Sequence, residues 1–250
     1  MKGVVLCGGT GSRLHPITRV TNKHLLPIYD EPMVFFPIRT LVDAGITDIM
    51  IVTGGNNAGD FVPLLGNGEA DFGLKHLHYT YQKGAGGIAD ALRLCRDFVG
   101  RDRVTVILGD NIFGKRMGPL IREEYGSRGG EKTRARVFLK EVPDPQRFGV
   151  AEVRGGKVVG IVEKPKKPRS RLAVTGAYVY DHRVFDCIET LKPSGRGELE
   201  ITDVNNWYLA REELGYQILR EDTTWTDAGT FDSLLRAQKL VAEQRSKERG

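Results

Sequence analysis

Hydrophobic positions along this chain come in two textures. In the first half, strand-length runs, most of them rich in Val, Ile and Leu, recur at residues 3–7, 48–53, 75–81 and 104–108. Near-continuous apolar character is what a strand covered on both faces requires. Between the runs, residues 35–44, 57–65 and 85–98 carry apolar positions at helical spacing, with Pro37 expected near the first turn of its helix or at a bend in it. Strand–helix alternation at this spacing predicts βαβ units and a parallel, doubly wound sheet.

After about Arg134 the texture changes. Residues 136–142 alternate weakly, and 149–153 and 157–163 flank Arg154-Gly155-Gly156, which reads as a hairpin turn. Residues 174–180 form another strand pattern, followed by helical stretches at 183–191 and 201–213, a strand at 216–220 and a closing helix from 231 to about 245. No internal repeat, low-complexity segment or interdomain linker interrupts the chain. The reading is one mixed α/β domain over 1–250, with a parallel half at about 1–133 and a more antiparallel half at about 134–250.

Composition narrows the class. A chain of 250 residues, 40% hydrophobic and 28% charged, can bury a sizeable core. No apolar run reaches membrane-spanning length, and glycines with Arg13 break the first apolar stretch too early for a signal peptide, so a cytoplasmic location is expected. The formal charge of +5 is scattered, apart from a loop-like run of Lys164, Lys166, Lys167, Arg169 and Arg171. With aromatics at 8% and not interleaved with a basic stripe, a small anionic substrate fits better than nucleic acid or a membrane. The three cysteines form no CxxC pair, which argues against a disulfide scaffold and structural zinc. His76 and His78 alternate on a strand, without a third ligand at suitable spacing.

Chemistry concentrates where strands end. Leu6 leads into Gly8-Gly9-Thr10-Gly11-Ser12-Arg13, a glycine loop whose bare backbone N–H groups can wrap phosphate oxygens, followed at once by a guanidinium. Lys23 offers a second cation ten residues on. Ligands of open α/β sheets bind at the carboxyl ends of strands, which puts this loop and Asp110-Asn111 on one rim. Asp110 reads either as a magnesium ligand or as a turn residue. Asp227, in Trp225-Thr226-Asp227-Ala228-Gly229, reads either as a second metal carboxylate or as the N-cap of the closing helix. In Glu163-Lys164-Pro165 the proline predicts an extended Lys164 projecting from a strand end. Glu198 either belongs to an acidic helix start or faces sugar hydroxyls, and the Gln82 amide either reads a base edge or is a polar loop residue. The loop fits neither G-x-x-x-x-G-K-[ST] nor G-x-G-x-x-G, and no G-x-S-x-G or H-E-x-x-H occurs.

Taken together, Gly8 to Leu14, Lys23 with Leu25-Leu26-Pro27-Ile28-Tyr29-Asp30, Leu108-Gly109-Asp110-Asn111, Glu163-Lys164-Pro165, Val174-Thr175-Gly176, Arg196-Gly197-Glu198-Leu199-Glu200-Ile201-Thr202-Asp203 and Trp225 to Thr230 resemble the sugar-1-phosphate nucleotidylyltransferases, in order and over nearly the whole chain. The likeness is greatest to the thymidylyl-transferring members. It implies a Rossmann-like mixed, mostly parallel sheet flanked by helices, with a smaller antiparallel sugar-binding portion, the nucleotide-diphospho-sugar transferase fold. It implies dTTP and α-D-glucose 1-phosphate as substrates, dTDP-glucose and pyrophosphate as products, and Mg²⁺ on Asp110 and Asp227. By resemblance, Leu6, the Gly8–Ser12 loop, Arg13 and Lys23 hold the nucleotide, and Gln82 and Gly87 contact the base. Asn111, Gly149, Glu163, Val174, Tyr178, Glu198 and Trp225 fall at sugar-phosphate positions, with Lys164 and Arg196 near the phosphate. Arg13, Lys23, Asp110, Lys164 and Asp227 are the catalytic set.

Long-form relatives continue well past the position of Arg245, and this chain resembles the short form. The long form continues into an extension that makes subunit contacts and a regulatory nucleotide site, and the oligomeric state of this chain stays open. The loop from Lys83 to Asp90 differs from the long form's Pro- and Ser-containing loop, which leaves UTP as an alternative to dTTP. A uridylyl- or other nucleotidylyltransferase is the nearest alternative function, and a catalytically silent sugar-nucleotide sensor is the alternative from another class.

Overall fold

The computed structural model describes residues 1–126 and 133–249, with side chains described except those of 124–126, 248 and 249. Strands of the first half are β1 (Lys2–Cys7), β2 (Pro27–Ile28), β3 (Glu31–Pro32), β4 (Asp48–Gly54), β5 (His76–Gln82), β6 (Val104–Leu108) and β7 (Asn111–Phe113). Those of the second are β8 (Ala135–Glu141), β9 (Gly149–Arg154), β10 (Lys157–Glu163), β11 (Leu172–Tyr180), β12 (Leu214–Ile218) and β13 (Trp225–Asp227).

The expected parallel sheet is present: β5, β4, β1 and β6 lie side by side, all parallel. β11 then pairs antiparallel with β6, Tyr178 opposite Val106, and carries β8, β9 and β10 with it. The two textures of the sequence therefore meet in a single nine-stranded sheet.

Period-two alternation explains why the central strands are apolar throughout. Val4 and Leu6 pack on one face with Ala89, Leu92, Phe185, Ile188, Val204 and Tyr208, while Val5 and Cys7 pack on the other with Ile38, Leu41, Phe61, Leu65, Met117 and Ile121. A third cluster, around Leu14, Ile28, Met33, Ile112, Ala228, Leu234 and Val241, pins the closing helix Phe231–Arg249 against β2, β7 and β13. It anchors both the glycine loop and the Asp227 strand.

Several boundaries differ from expectation. The stretch 85–98 is not one helix: a loop runs to Gly87, followed by short helices Ile88–Arg93 and Arg96–Val99. Gly87 has φ +96, and a Cβ there would lie 2.5 Å from the Leu199 carbonyl oxygen. A tertiary contact thus overrides the helical spacing. The helix expected over 201–213 ends at Leu209, and Glu212 turns to φ 57. Asp227 sits in a short strand of its own that had no expectation, paired with β7. The helix Met117–Gly126 had no expectation; its Pro119 lies in the first turn, where proline is tolerated. Pro37 does lie in the first turn of the helix Phe35–Asp43.

Candidate active site

The glycine loop begins where β1 ends. Gly9 and Gly11 adopt φ 94 and 62, conformations that glycine alone takes without strain, and Thr18 Oγ1 donates to the Gly11 carbonyl at 2.7 Å. Leu14 is buried, so Arg13 one residue earlier is left outward over the rim. Arg13 reaches the closing segment: a Cβ on Gly229 would lie 2.9 Å from its Nη2 and 3.2 Å from Asp227 Oδ2.

Asp110 follows β6 in the turn into β7. Its Oδ2 accepts from Lys23 Nζ at 2.6 Å and its Oδ1 from Asn111 Nδ2 at 2.9 Å. Burial alone would raise its pKa, but the Lys23 ammonium beside it and these hydrogen bonds hold it well below the usual carboxylate range. Asp227 is brought alongside by strand pairing. It stands opposite Asn111 in the register, and the Ala228 N–H donates to the Asp110 carbonyl at 2.8 Å. Capping of the closing helix falls to Thr230 and Ser233, whose side chains and N–H groups bond reciprocally, so Asp227 is not the N-cap.

These groups line one cavity of about 310 Å³, a volume within the range of small-ligand pockets. Leu6, Gly8, Gly9, Arg13, Lys23, Gln82, Gly87, Asp110 and Asn111 contribute from the first half of the chain. Gly149, Glu163, Lys164, Val174, Tyr178, Glu198, Trp225 and Asp227 contribute from the second. Thr10, Gly11, Ser12 and Arg196 are not in its wall. Arg196 sits behind it, its Nη2 2.8 Å from Glu200, 3.2 Å from Glu198 and 3.7 Å from Glu163. Lys164 lines the cavity but is not extended: its φ is 41, and its N–H donates to the Phe148 carbonyl at 3.0 Å. That tertiary hydrogen bond overrides the preference imposed by Pro165.

Asn111 and Gln82 use their amides within the protein. Asn111 Oδ1 accepts from the Gly176 N–H at 3.0 Å and from Trp225 Nε1 at 2.7 Å. Gly176 lies where the pairing of β11 with β8 slips, between Val174 and Tyr178, and Asn111 gives its N–H an acceptor there. Gln82 Nε2 donates to the Gly87 carbonyl at 3.0 Å and to Asp90 Oδ2 at 2.8 Å. Glu163 Oε2 accepts from Thr202 Oγ1 at 2.6 Å, which fixes the carboxylate against the wall.

Sequence reasoning missed Arg147, which enters the cavity beside Phe148. Its Nη2 donates to both oxygens of Asp227, at 3.1 and 2.9 Å, and its Nη1 to Asp144 at 2.9 Å. Burial acts to lower its pKa, but the two aspartates raise it overall. The available signal was the Asp144-Pro145 turn that aims a guanidinium just ahead of Gly149. His24 was missed as well. Its ring is buried, and Asn22 Oδ1 accepts from its Nδ1 at 2.8 Å, the Asn22 amide being oriented by the Gly54 carbonyl at 3.0 Å.

The donor set suits a hard cation. Two carboxylates face the cavity, Asp110 from the turn between β6 and β7 and Asp227 from β13, and among the described residues no group of three or more His, Cys, Asp or Glu is arranged to hold a metal by itself. Magnesium is commonly held by one or two carboxylates, with phosphates and water completing its shell, so these residues fit it.

Residues 2–244 match the nucleotidyl transferase family. A glucose-1-phosphate thymidylyltransferase of Mycolicibacterium smegmatis is 45% identical over 243 residues, 96% of this chain and 82% of that protein. A Bacillus anthracis crystal structure assigned to the same activity, in complex with sucrose, superposes with a TM-score of 0.88 at 53% identity, covering 96% of this chain and 94% of that one. A UDP-glucose pyrophosphorylase complexed with UDP-glucose shares the fold, with a TM-score of 0.81 at 23% identity over 97% and 98% of the two chains.

Proposed function

The chain belongs to the nucleotidyl transferase family, and from that membership we propose that it is a glucose-1-phosphate thymidylyltransferase, converting dTTP and α-D-glucose 1-phosphate into dTDP-glucose and pyrophosphate. The activity named for its relatives supports this reading. The observation that carries it is the meeting of Arg13, Lys23, Asp110, Arg147, Lys164 and Asp227, from separate stretches of chain, around one cavity.

In this reading the chain is one domain, whose half at about 1–133 takes the nucleotide and whose half at about 134–250 takes the sugar phosphate. The Gly8–Gly11 backbone, Arg13 and Lys23 hold the triphosphate, and Gln82 and Gly87 meet the base. Gly149, Glu163, Val174 and Tyr178 surround the sugar, with Lys164 at its phosphate and Arg196 acting through Glu163 and Glu198. Asp110 and Asp227 would hold Mg²⁺, which supplies charge neutralisation on the triphosphate.

A phosphate oxygen of glucose 1-phosphate attacks the α-phosphorus in line, and pyrophosphate leaves. The protein need form no covalent bond, so its contribution is alignment and neutralisation of two polyanions. Lys23 rests on Asp110 and Arg147 on Asp227, which supports a role for both cations in neutralising phosphate charge. Each cation–phosphate hydrogen bond contributes about 1.5–3 kcal/mol, and only several together reach a catalytic barrier reduction of roughly 8–23 kcal/mol.

UTP is the second substrate to consider, because a 5-methyl contact discriminates by only about 1–3 kcal/mol. No described helix is long and apolar enough to cross a membrane, and our reading places the reaction in the cytoplasm without a nucleic-acid or membrane partner. The test is a matrix of nucleoside triphosphates against sugar 1-phosphates, following pyrophosphate with and without Mg²⁺. Fastest release with dTTP and glucose 1-phosphate, dependent on the metal, is expected. A different best pair, or no release with any, overturns the assignment.

A further inference from the structure

Gln82 is almost fully buried at the carboxyl end of β5, and a buried amide has a polarity that its neighbours decide. Its nitrogen faces two oxygens, the Gly87 carbonyl at 3.0 Å and Asp90 Oδ2 at 2.8 Å. Neither partner has a hydrogen to give: one is a backbone carbonyl and the other a carboxylate. Turning the amide over would set its oxygen against both, losing two hydrogen bonds and creating two repulsive contacts. Asp90 is itself held in place, because Arg93 Nη2 binds its other oxygen at 2.7 Å. Gly86 passes directly above, where a Cβ would lie 2.5 Å from Asp90 Oδ2.

With both N–H groups engaged, Gln82 turns only Oε1 toward the cavity. That oxygen lies 2.7 Å from where a Cβ on Gly8 would stand, at the mouth of the glycine loop, and Gly8 and Gln82 both line the cavity. Among the described residues no donor reaches Oε1, and it is not among the buried atoms without a partner. It is an acceptor open to the pocket.

We propose that Asp90 is the positioning residue for pyrimidine selection: it locks the Gln82 amide so that Oε1 faces the N3 position of the base and accepts only from an imide N–H. This rests on the nucleotide reading of the cavity given above. Thymine and uracil carry that N–H, whereas cytosine presents a lone pair at N3, so acceptor would meet acceptor. The lock therefore separates thymine and uracil from cytosine, and it is blind to the 5-methyl group.

The experiment compares wild type with Asp90→Asn, an isosteric change that lets the neighbour donate as well as accept. Pyrophosphate release is measured with dTTP, UTP and dCTP at fixed glucose 1-phosphate, and nucleotide binding is measured separately by calorimetry. The expected result is a fall of at least about tenfold in the dTTP:dCTP ratio of kcat/KM. The dTTP:UTP ratio should not move, and the binding ratio should follow the kinetic one. A role in loop stability alone would scale all three nucleotides together, and an unchanged dTTP:dCTP ratio in folded Asp90→Asn overturns the lock. Asp90→Ala, which removes the acceptor without adding a donor, must shift the ratio in the same direction and serves if the first variant does not fold. Absence of turnover by wild type with every pyrimidine would count against the catalytic reading, while the calorimetric comparison would still decide the role of Asp90.

Discussion

Asp227 sets both of its carboxylate oxygens against one guanidinium nitrogen of Arg147, at 3.1 and 2.9 Å, across 80 positions of sequence. The pair joins the segment that leads into β9 to the strand that carries Asp227. It gives this carboxylate a resident cation, as Lys23 does for Asp110.

Removing the Arg147 guanidinium should expose that arrangement. Arg147→Ala is expected to lower kcat/KM by about ten- to a hundredfold, the worth of one charged hydrogen bond to phosphate, with Arg147→Lys intermediate. The same variant frees Asp227 of its competing cation, so Mn²⁺ alone, followed by electron paramagnetic resonance, should bind more tightly. Weaker Mn²⁺ binding would show that Arg147 supports the carboxylate instead of competing for it.

Asp110→Asn and Asp227→Asn keep shape and remove charge. With Mg²⁺ present, each should reduce pyrophosphate release at least about a hundredfold, since metal-assisted charge neutralisation is worth several kcal/mol. Circular dichroism should show a retained fold. Near-normal turnover in both would refute the metal assignment.

Asn111 ties three segments together through one buried amide. In Asn111→Ala the Gly176 N–H and the Trp225 indole N–H lose their acceptor, at about 1–3 kcal/mol for each orphaned donor. A stability loss of about 2–6 kcal/mol in urea titration is expected. An unchanged midpoint would mean that water replaces the amide without cost.

His24 links stability to pH. Burial first, and the Lys23 ammonium second, push its pKa down from 6.5 to about 3, against the opposing influence of Asp110 and the Cys7 backbone. Between those values the unfolded chain binds the proton and the folded one does not, so this contribution is complete above about pH 6.5 and is lost as pH falls toward 3. Wild type should therefore lose about 2 kcal/mol through His24 between about pH 7.5 and pH 5, and His24→Gln should lack that share of the loss. Equal pH slopes for the two proteins would remove the imidazole from the account.

Much of the fold was legible in linear order because its signals are local. The apolar period of β1 and the spacing of the following helices specify a covered parallel sheet whatever else the chain does. That the glycine loop, Arg13, Asp110 and Asp227 gather at one cavity was legible for a similar reason, since residue type and place in the strand–loop pattern are local signals. The helix expected over 85–98 starts only after Gly87 because Gly87 answers to the Leu199 carbonyl, a contact 112 positions away that no spacing rule contains. Lys164 departs from expectation likewise, its backbone being turned by a hydrogen bond to Phe148 that outweighs Pro165.

Residue order alone settled which groups stand at the ends of strands, because side-chain periodicity and turn chemistry act over a few neighbours. It left open how those groups pair. That Lys23 meets Asp110, that Arg147 meets Asp227, and that Asp90 orients Gln82 depend on strand registers and loop approaches fixed by packing of the whole sheet. Hydrogen bonds discriminate over tenths of an ångström, and only the assembled core sets positions that finely.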